Sequence, residues 1–94
     1  MRNICIIVED IYDIALLHIN ELCSIGKKNL IYDLRKLKES MTYSAPEFIK
    51  STYYFEVLSN ILSIHISNDD YKNIPYCKEI IDIFLDPNYK INNK

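Results

Sequence analysis

The stretch ICIIVEDIYDIALLHINELCSIG, residues 4–26, decides the fold. Its opening, Ile4–Val8, is rich in β-branched residues and taken alone suits a strand. Taken to its end, the stretch carries a longer pattern. Ile4, Ile7, Val8, Ile11, Ala15, Ile19 and Leu22 recur at steps of three and four, which is the period of a helix and not of a strand. Ile14 and His18 widen that stripe. The chain also uses isoleucine, asparagine and lysine heavily, as an AT-rich genome does, so isoleucine is a weak strand marker here. The spacing therefore predicts a first helix over 3–24, with Asn3 as its N-cap. Gly26, the only glycine, falls just past its end, where a left-handed C-cap needs one.

The same periodicity extends down the chain. Leu30, Leu34, Leu37 and Met41, with Ile31 beside them, predict a second helix over 28–42, joined to the first by a tight antiparallel turn. Ser44-Ala45-Pro46-Glu47 then has the form of a capping box with proline in the first turn, and Tyr43 is placed to staple against Phe48. A third helix is expected from Ala45 to Ile66, with Phe48, Thr52, Phe55, Leu58, Leu62, His65 and Ile66 along one stripe. Ser67-Asn68-Asp69-Asp70 is the strongest polar loop signal. Ile74-Pro75 opens a fourth helix whose Cys77, Ile80, Ile81 and Phe84 face inward, and Asp86-Pro87-Asn88 stops it. The expectation is an all-α chain, a small antiparallel four-helix bundle, with one domain over 1–87 and a polar, flexible tail over 88–94.

Ninety-four residues make one domain, and 49% apolar residues suffice for one core. Cys5, Cys23 and Cys77 have no metal-ligand spacing, and an odd number of cysteines fits a reducing compartment. The apolar run after Arg2 is broken by Glu9, Asp10 and Asp13, short of the roughly 7–15 residues of a signal core, and nothing approaches the ~18 apolar residues of a membrane span. A cytoplasmic protein is expected.

The chain carries little that points to catalysis. His18 and His65 stand in no H-x-x-x-H or E-x-x-H pattern, no residue obviously activates Cys23, and one glycine cannot build a phosphate loop. No enzyme activity, metal or cofactor is expected. Charge is more informative by segment. Residues 1–25 set Arg2 against four carboxylates, net −3; residues 26–43 set five cations against Asp33 and Glu39, net +3; the remainder sets five cations against seven carboxylates, net −2. One helix is thus acidic and the next basic. They either complement each other or present two partner surfaces of opposite sign. Lys28, Arg35 and Lys38 are the cations that could touch phosphates. Eight tyrosines and no tryptophan complete the inventory; Tyr71 and Tyr76 flank the Asp69-Asp70 segment, where tyrosine makes a good interface anchor.

Three features together resemble bacterial toxin-immunity proteins of the contact-dependent-inhibition or colicin type. These are the block ESMTYSAPEF at 39–48, leading into a helix; the order acidic helix, helix, Tyr53-Tyr54, Asp69-Asp70, proline-capped helix; and Asn68-Asp69-Asp70 through Ile74-Pro75 to Lys78-Glu79-Ile80, which is similar to the last loop and helix of nuclease-colicin immunity proteins. Here the tyrosine pair continues as Phe55 and not as proline. The resemblance implies a plug: a non-catalytic protein that binds the C-terminal cytotoxic domain of its cognate toxin, often a basic nuclease, and occludes its active or substrate face. Asp10, Asp13, Asp69 and Asp70 would meet toxin cations, and Tyr71 and Tyr76 would anchor the contact. The alternative is a helical adaptor or homo-oligomeric regulator, touching nucleic acid through the basic second helix.

Overall fold

The computed structural model describes residues 2–44 and 50–90, and among them there are six helices and no strand. They are α1 (Ile4–Leu17), α2 (Ile19–Ser24), α3 (Lys28–Thr42), α4 (Ser51–His65), α5 (Asn68–Asn73) and α6 (Pro75–Leu85). The strand alternative at Ile4–Val8 is settled in favour of helix: Asn3 is the N-cap, its side chain accepting from the amides of Cys5 and Ile6.

The expected first helix is broken at His18, whose ψ of 30° leaves the helical range. The amide of His18 is shared between the carbonyls of Ile14 and Ala15, and its ring stacks on Tyr76 with centroids 4.4 Å apart. The break resets the helical phase. Leu22 stays buried, but Ile19, expected in the core, turns outward and is 41% exposed. Beyond α2 the chain closes a Schellman turn: Lys27 N–H donates to the Leu22 carbonyl, Gly26 N–H to that of Cys23, and Gly26 sits at φ +77°. A Cβ at Gly26 would meet nothing within 4 Å, so Gly26→Ala acts through the backbone alone. It should cost about 1 kcal/mol, read as a lowered urea midpoint; an unchanged midpoint would show that the left-handed turn contributes nothing.

In α3, all five expected apolar residues are buried. The proposed capping box and the Tyr43–Phe48 staple fall on residues 45–49, outside the described residues. The Ser44 hydroxyl donates back to the Ser40 carbonyl, and Tyr43 is exposed. The third helix is shorter than expected, because Lys50 is extended and α4 begins at Ser51. Its buried stripe is Tyr54, Leu58 and Leu62; Thr52 is exposed and Phe55 only half-buried. Tyr54 fits a core because its hydroxyl reaches those of Ser40 and Ser44 at 3.5 Å.

The expected polar loop at 67–70 is instead the start of a helix. Ser67 and Asp70 form a reciprocal capping box: Ser67 Oγ accepts from the Asp70 amide, and Asp70 Oδ2 accepts from the Ser67 amide at 2.9 Å. Ile74 caps α6 with Pro75 in its first turn, and Cys77, Ile80 and Ile83 are its buried residues.

Helices α1 and α3 run antiparallel side by side, so that Cys5, Ile6 and Glu9 share a groove with Lys38, Met41 and Thr42. Helix α4 packs against both, and α6 against α1. Arg2 ties the chain start to the far end, its guanidinium over the Phe55 ring and donating to the Phe84 carbonyl. At the start of the expected tail, Tyr89 donates its hydroxyl to Asp10 at 2.8 Å, and Lys90 Nζ lies 2.9 Å from the same carboxylate oxygen.

Candidate protein-binding surface

The helix break at His18 and the turn at Gly26 bring polar side chains from five elements to one end of the molecule. Lys27, carried by the turn, is the hinge pin. Its ammonium donates to the His65 carbonyl at 2.6 Å and pairs with Asp70 at 2.9 Å. That satisfies a carbonyl in the last turn of α4, which has no partner within its own helix. The His65 ring in turn binds Asp33 of α3, Nε2 to Oδ2 at 2.8 Å. The amide of Ser67, followed by the ammonium of Lys27, holds the Asp70 carboxyl below the usual carboxylate range. Asp70 is therefore a structural anion that clips α5 to the turn.

Tyr71, on α5, donates its hydroxyl to Asp82 of α6 at 2.7 Å, and Lys78 binds the other oxygen of Asp82 at 2.7 Å. The Asp82 bond pushes the Tyr71 phenol up, while Lys78 and then Tyr71 hold Asp82 down. Tyr76 lies half-buried under the His18 ring. Burial, then the neighbouring Cys77, Glu21 and Asp70, push its phenol up.

The six residues picked from the sequence divide by what they touch. Asp10 is engaged by Tyr89 and Lys90, Asp70 by Lys27 and the Ser67 amide, and Tyr71 by Asp82. Asp13 and Asp69 are exposed, and Tyr76 is half-buried. Sequence reasoning missed the apolar part of this surface. Leu16, Leu17 and Ile19 are 40%, 78% and 41% exposed at the junction of α1 and α2, with Asp13 one turn before and Glu21 just after. Along the chain, an acidic and apolar strip thus runs from Asp13 over the helix break to Glu21. The Lys27 network was missed as well, since nothing local marks a lysine whose partners lie 38 and 43 positions away.

Burial raises the Cys77 thiol to about 11, where it is protonated and inert. Burial and Glu9 push the Cys5 thiol up too. The histidines are engaged separately, one with Tyr76 and the other with Asp33, and among the described residues no group of three His, Cys, Asp or Glu side chains could hold a metal ion. None of the described helices is long and apolar enough to cross a membrane. Comparison with protein families, with curated proteins and with solved structures finds no match for this chain.

Proposed function

We propose that the chain is a non-catalytic, cytoplasmic binding protein of the immunity type, which docks on a basic toxin domain and blocks its substrate face. The observation that carries this reading is the strip just described: exposed Leu16, Leu17 and Ile19 set between the exposed carboxylates Asp13 and Glu21. A contact of that composition matches an interface with an apolar centre and a charged rim. Apolar side chains exposed together at a helix junction mark partner sites more often than isolated ones do. The carboxylates supply steering toward a cationic partner, and Tyr76 supplies a rigid aromatic edge. The clip through Lys27 and Asp70 ties α5 to the turn that follows α2, so little ordering is left to be done there on binding.

The test starts from the neighbouring reading frame, which this reading expects to end in a small toxic domain, and co-expresses that domain with the chain. Co-expression is expected to rescue growth, and purified chain is expected to bind that domain with an affinity that falls as salt rises. Reversing Asp13 and Asp69 together (D13K/D69K) should weaken binding at least tenfold at low ionic strength and flatten its salt dependence. Leu17→Ala should weaken it without changing the salt slope. Failure to rescue, with no binding at any salt, would rule the reading out. The second reading, an adaptor or homo-oligomeric regulator, draws on a different feature, the basic outer stripe of α3.

A further inference from the structure

Helix α3 turns a stripe of cations to solvent. Lys28, Tyr32, Arg35 and Lys36 are all exposed and recur at helical spacing. The Tyr32 ring is held between Arg35 and Lys36, which lie 5.8 and 5.3 Å from its centroid. Beside it runs α1, whose outer residues Glu9, Asp13, Leu16 and Leu17 are exposed and include no cation. The inner sides of both helices are covered by α4, which leaves their outer seam as a groove of about 240 Å³ at the Glu9–Lys38 end.

An acidic helix and a basic helix lying antiparallel on one face are self-complementary under a two-fold axis parallel to them. Such a rotation lays α1 of one copy over α3 of the other, twice. It allows no translation along the axis, so the register is set by the register within one copy. That internal register is given by Glu9, 4.0 Å from Lys38, and by the Lys38 ammonium 5.1 Å from the Tyr12 ring. Rising 1.5 Å per residue in opposite directions from that level, Asp13 meets Arg35 and Leu16 meets Tyr32; Glu21, past the break at His18, is the next carboxylate toward the Lys28 end of α3. Glu39 is the one carboxylate on the stripe; it falls at the end where Lys38 offsets it.

We propose that this chain self-associates as a two-fold dimer through the α1–α3 face, a second copy of the chain being the occupant. The pairing of charge and apolar positions in a single allowed register is what selects a second copy over an unrelated anion. Two helices about 22 Å long with axes about 10 Å apart offer roughly 400–500 Å² per copy, which puts the dimer at the weak, transient end of interfaces. Association should therefore be reversible and strongly salt-dependent. The proposal does not depend on the inhibitor reading, although Asp13 serves both, so a dimer and a basic partner would compete.

The experiment is sedimentation velocity on the purified chain alone, over micromolar to millimolar concentrations. A concentration-dependent shift to dimer is expected at 20 mM salt (~20 Å screening length) and its loss at 500 mM (~4 Å). D13K/E21K and K28E/R35E should each be monomeric throughout. Mixed in equal amounts they should form a heterodimer, and the four-fold variant, with both stripes reversed, should dimerise again. Circular dichroism of each variant reports whether it is folded. A wild-type chain that stays monomeric at low salt and millimolar concentration overturns the proposal. So does a mixture of the two variants that fails to associate, or α3 cations that bind a single-stranded oligonucleotide while the protein remains monomeric.

Discussion

Replacing Leu58 by alanine is expected to destabilise the chain by about 3 kcal/mol, within the range of roughly 2–5 kcal/mol for truncating a buried leucine. Leu58 is fully buried at the middle of α4, the helix that packs on both α1 and α3. The loss has two parts, the transfer free energy of the missing methyl groups and the cavity left where three helices meet. For a domain of this length total stability is on the order of 5–14 kcal/mol, so the variant should show a large fall in urea midpoint. Ile64 is the control, in the same helix but 74% exposed, and Ile64→Ala should change stability by no more than about 0.5 kcal/mol. Equal effects at the two positions would mean that α4 is rotated about its axis from the orientation described.

That rotation is where the sequence was hardest to read. In α3, Leu30, Leu34, Leu37 and Met41 stand alone among charged residues, so only one face can be the inner one, and all of them are buried. In α4 apolar and aromatic residues are spread around the helix. The stripe through Thr52 and Phe55 looked as good as the true one through Tyr54, and the choice depends on Ser40 of α3 and Ser44 just beyond it, which give the Tyr54 hydroxyl a partner. A residue cannot disclose such a partner locally.

The helix count illustrates the same limit. Asn3, Gly26 and Pro75 were legible because each acts through its own backbone or its immediate neighbours. The break at His18 was not, because it coincides with a ring stack on Tyr76, 58 positions on. At Ser67-Asn68-Asp69-Asp70 the signature was present but was taken for a loop. Serine followed three positions later by a carboxylate is the pattern sought at Ser44–Glu47; here it opens a helix of only six residues with no buried side chain of its own. Asp10, Asp70 and Tyr71 were chosen for contact with a partner, and folding also gives each of them a bond within the chain that no local pattern announces. The exposure of Leu17 and Ile19 follows from the break and could not be foreseen without it.

Asp70→Ala is expected to cost about 2 kcal/mol near neutral pH, the second-largest effect among the stability variants. The substitution removes the acceptor for the Ser67 amide and the partner of Lys27, leaving that half-buried ammonium with the His65 carbonyl alone. A hydrogen bond to a charged group is worth roughly 1.5–3 kcal/mol, and partial exposure of both side chains keeps the sum toward the lower end. The pH dependence identifies the cause. The folded carboxyl titrates below its unfolded value of about 3.9. Its contribution is therefore complete above that value and is lost as pH falls through the lower folded one. The stability gap between wild type and Asp70→Ala, taken from urea denaturation, should be constant from pH 5 to 7 and should narrow below about pH 4 as the wild-type carboxyl takes up its proton. Asp70→Asn, which keeps an acceptor for the Ser67 amide but not the charge, should fall between the two at neutral pH. A gap that stays the same down to pH 2.5 would assign the loss to packing. Lys27 and Asp70 would then be neighbours without being a clip, and α5 would have no electrostatic tie to the turn that follows α2.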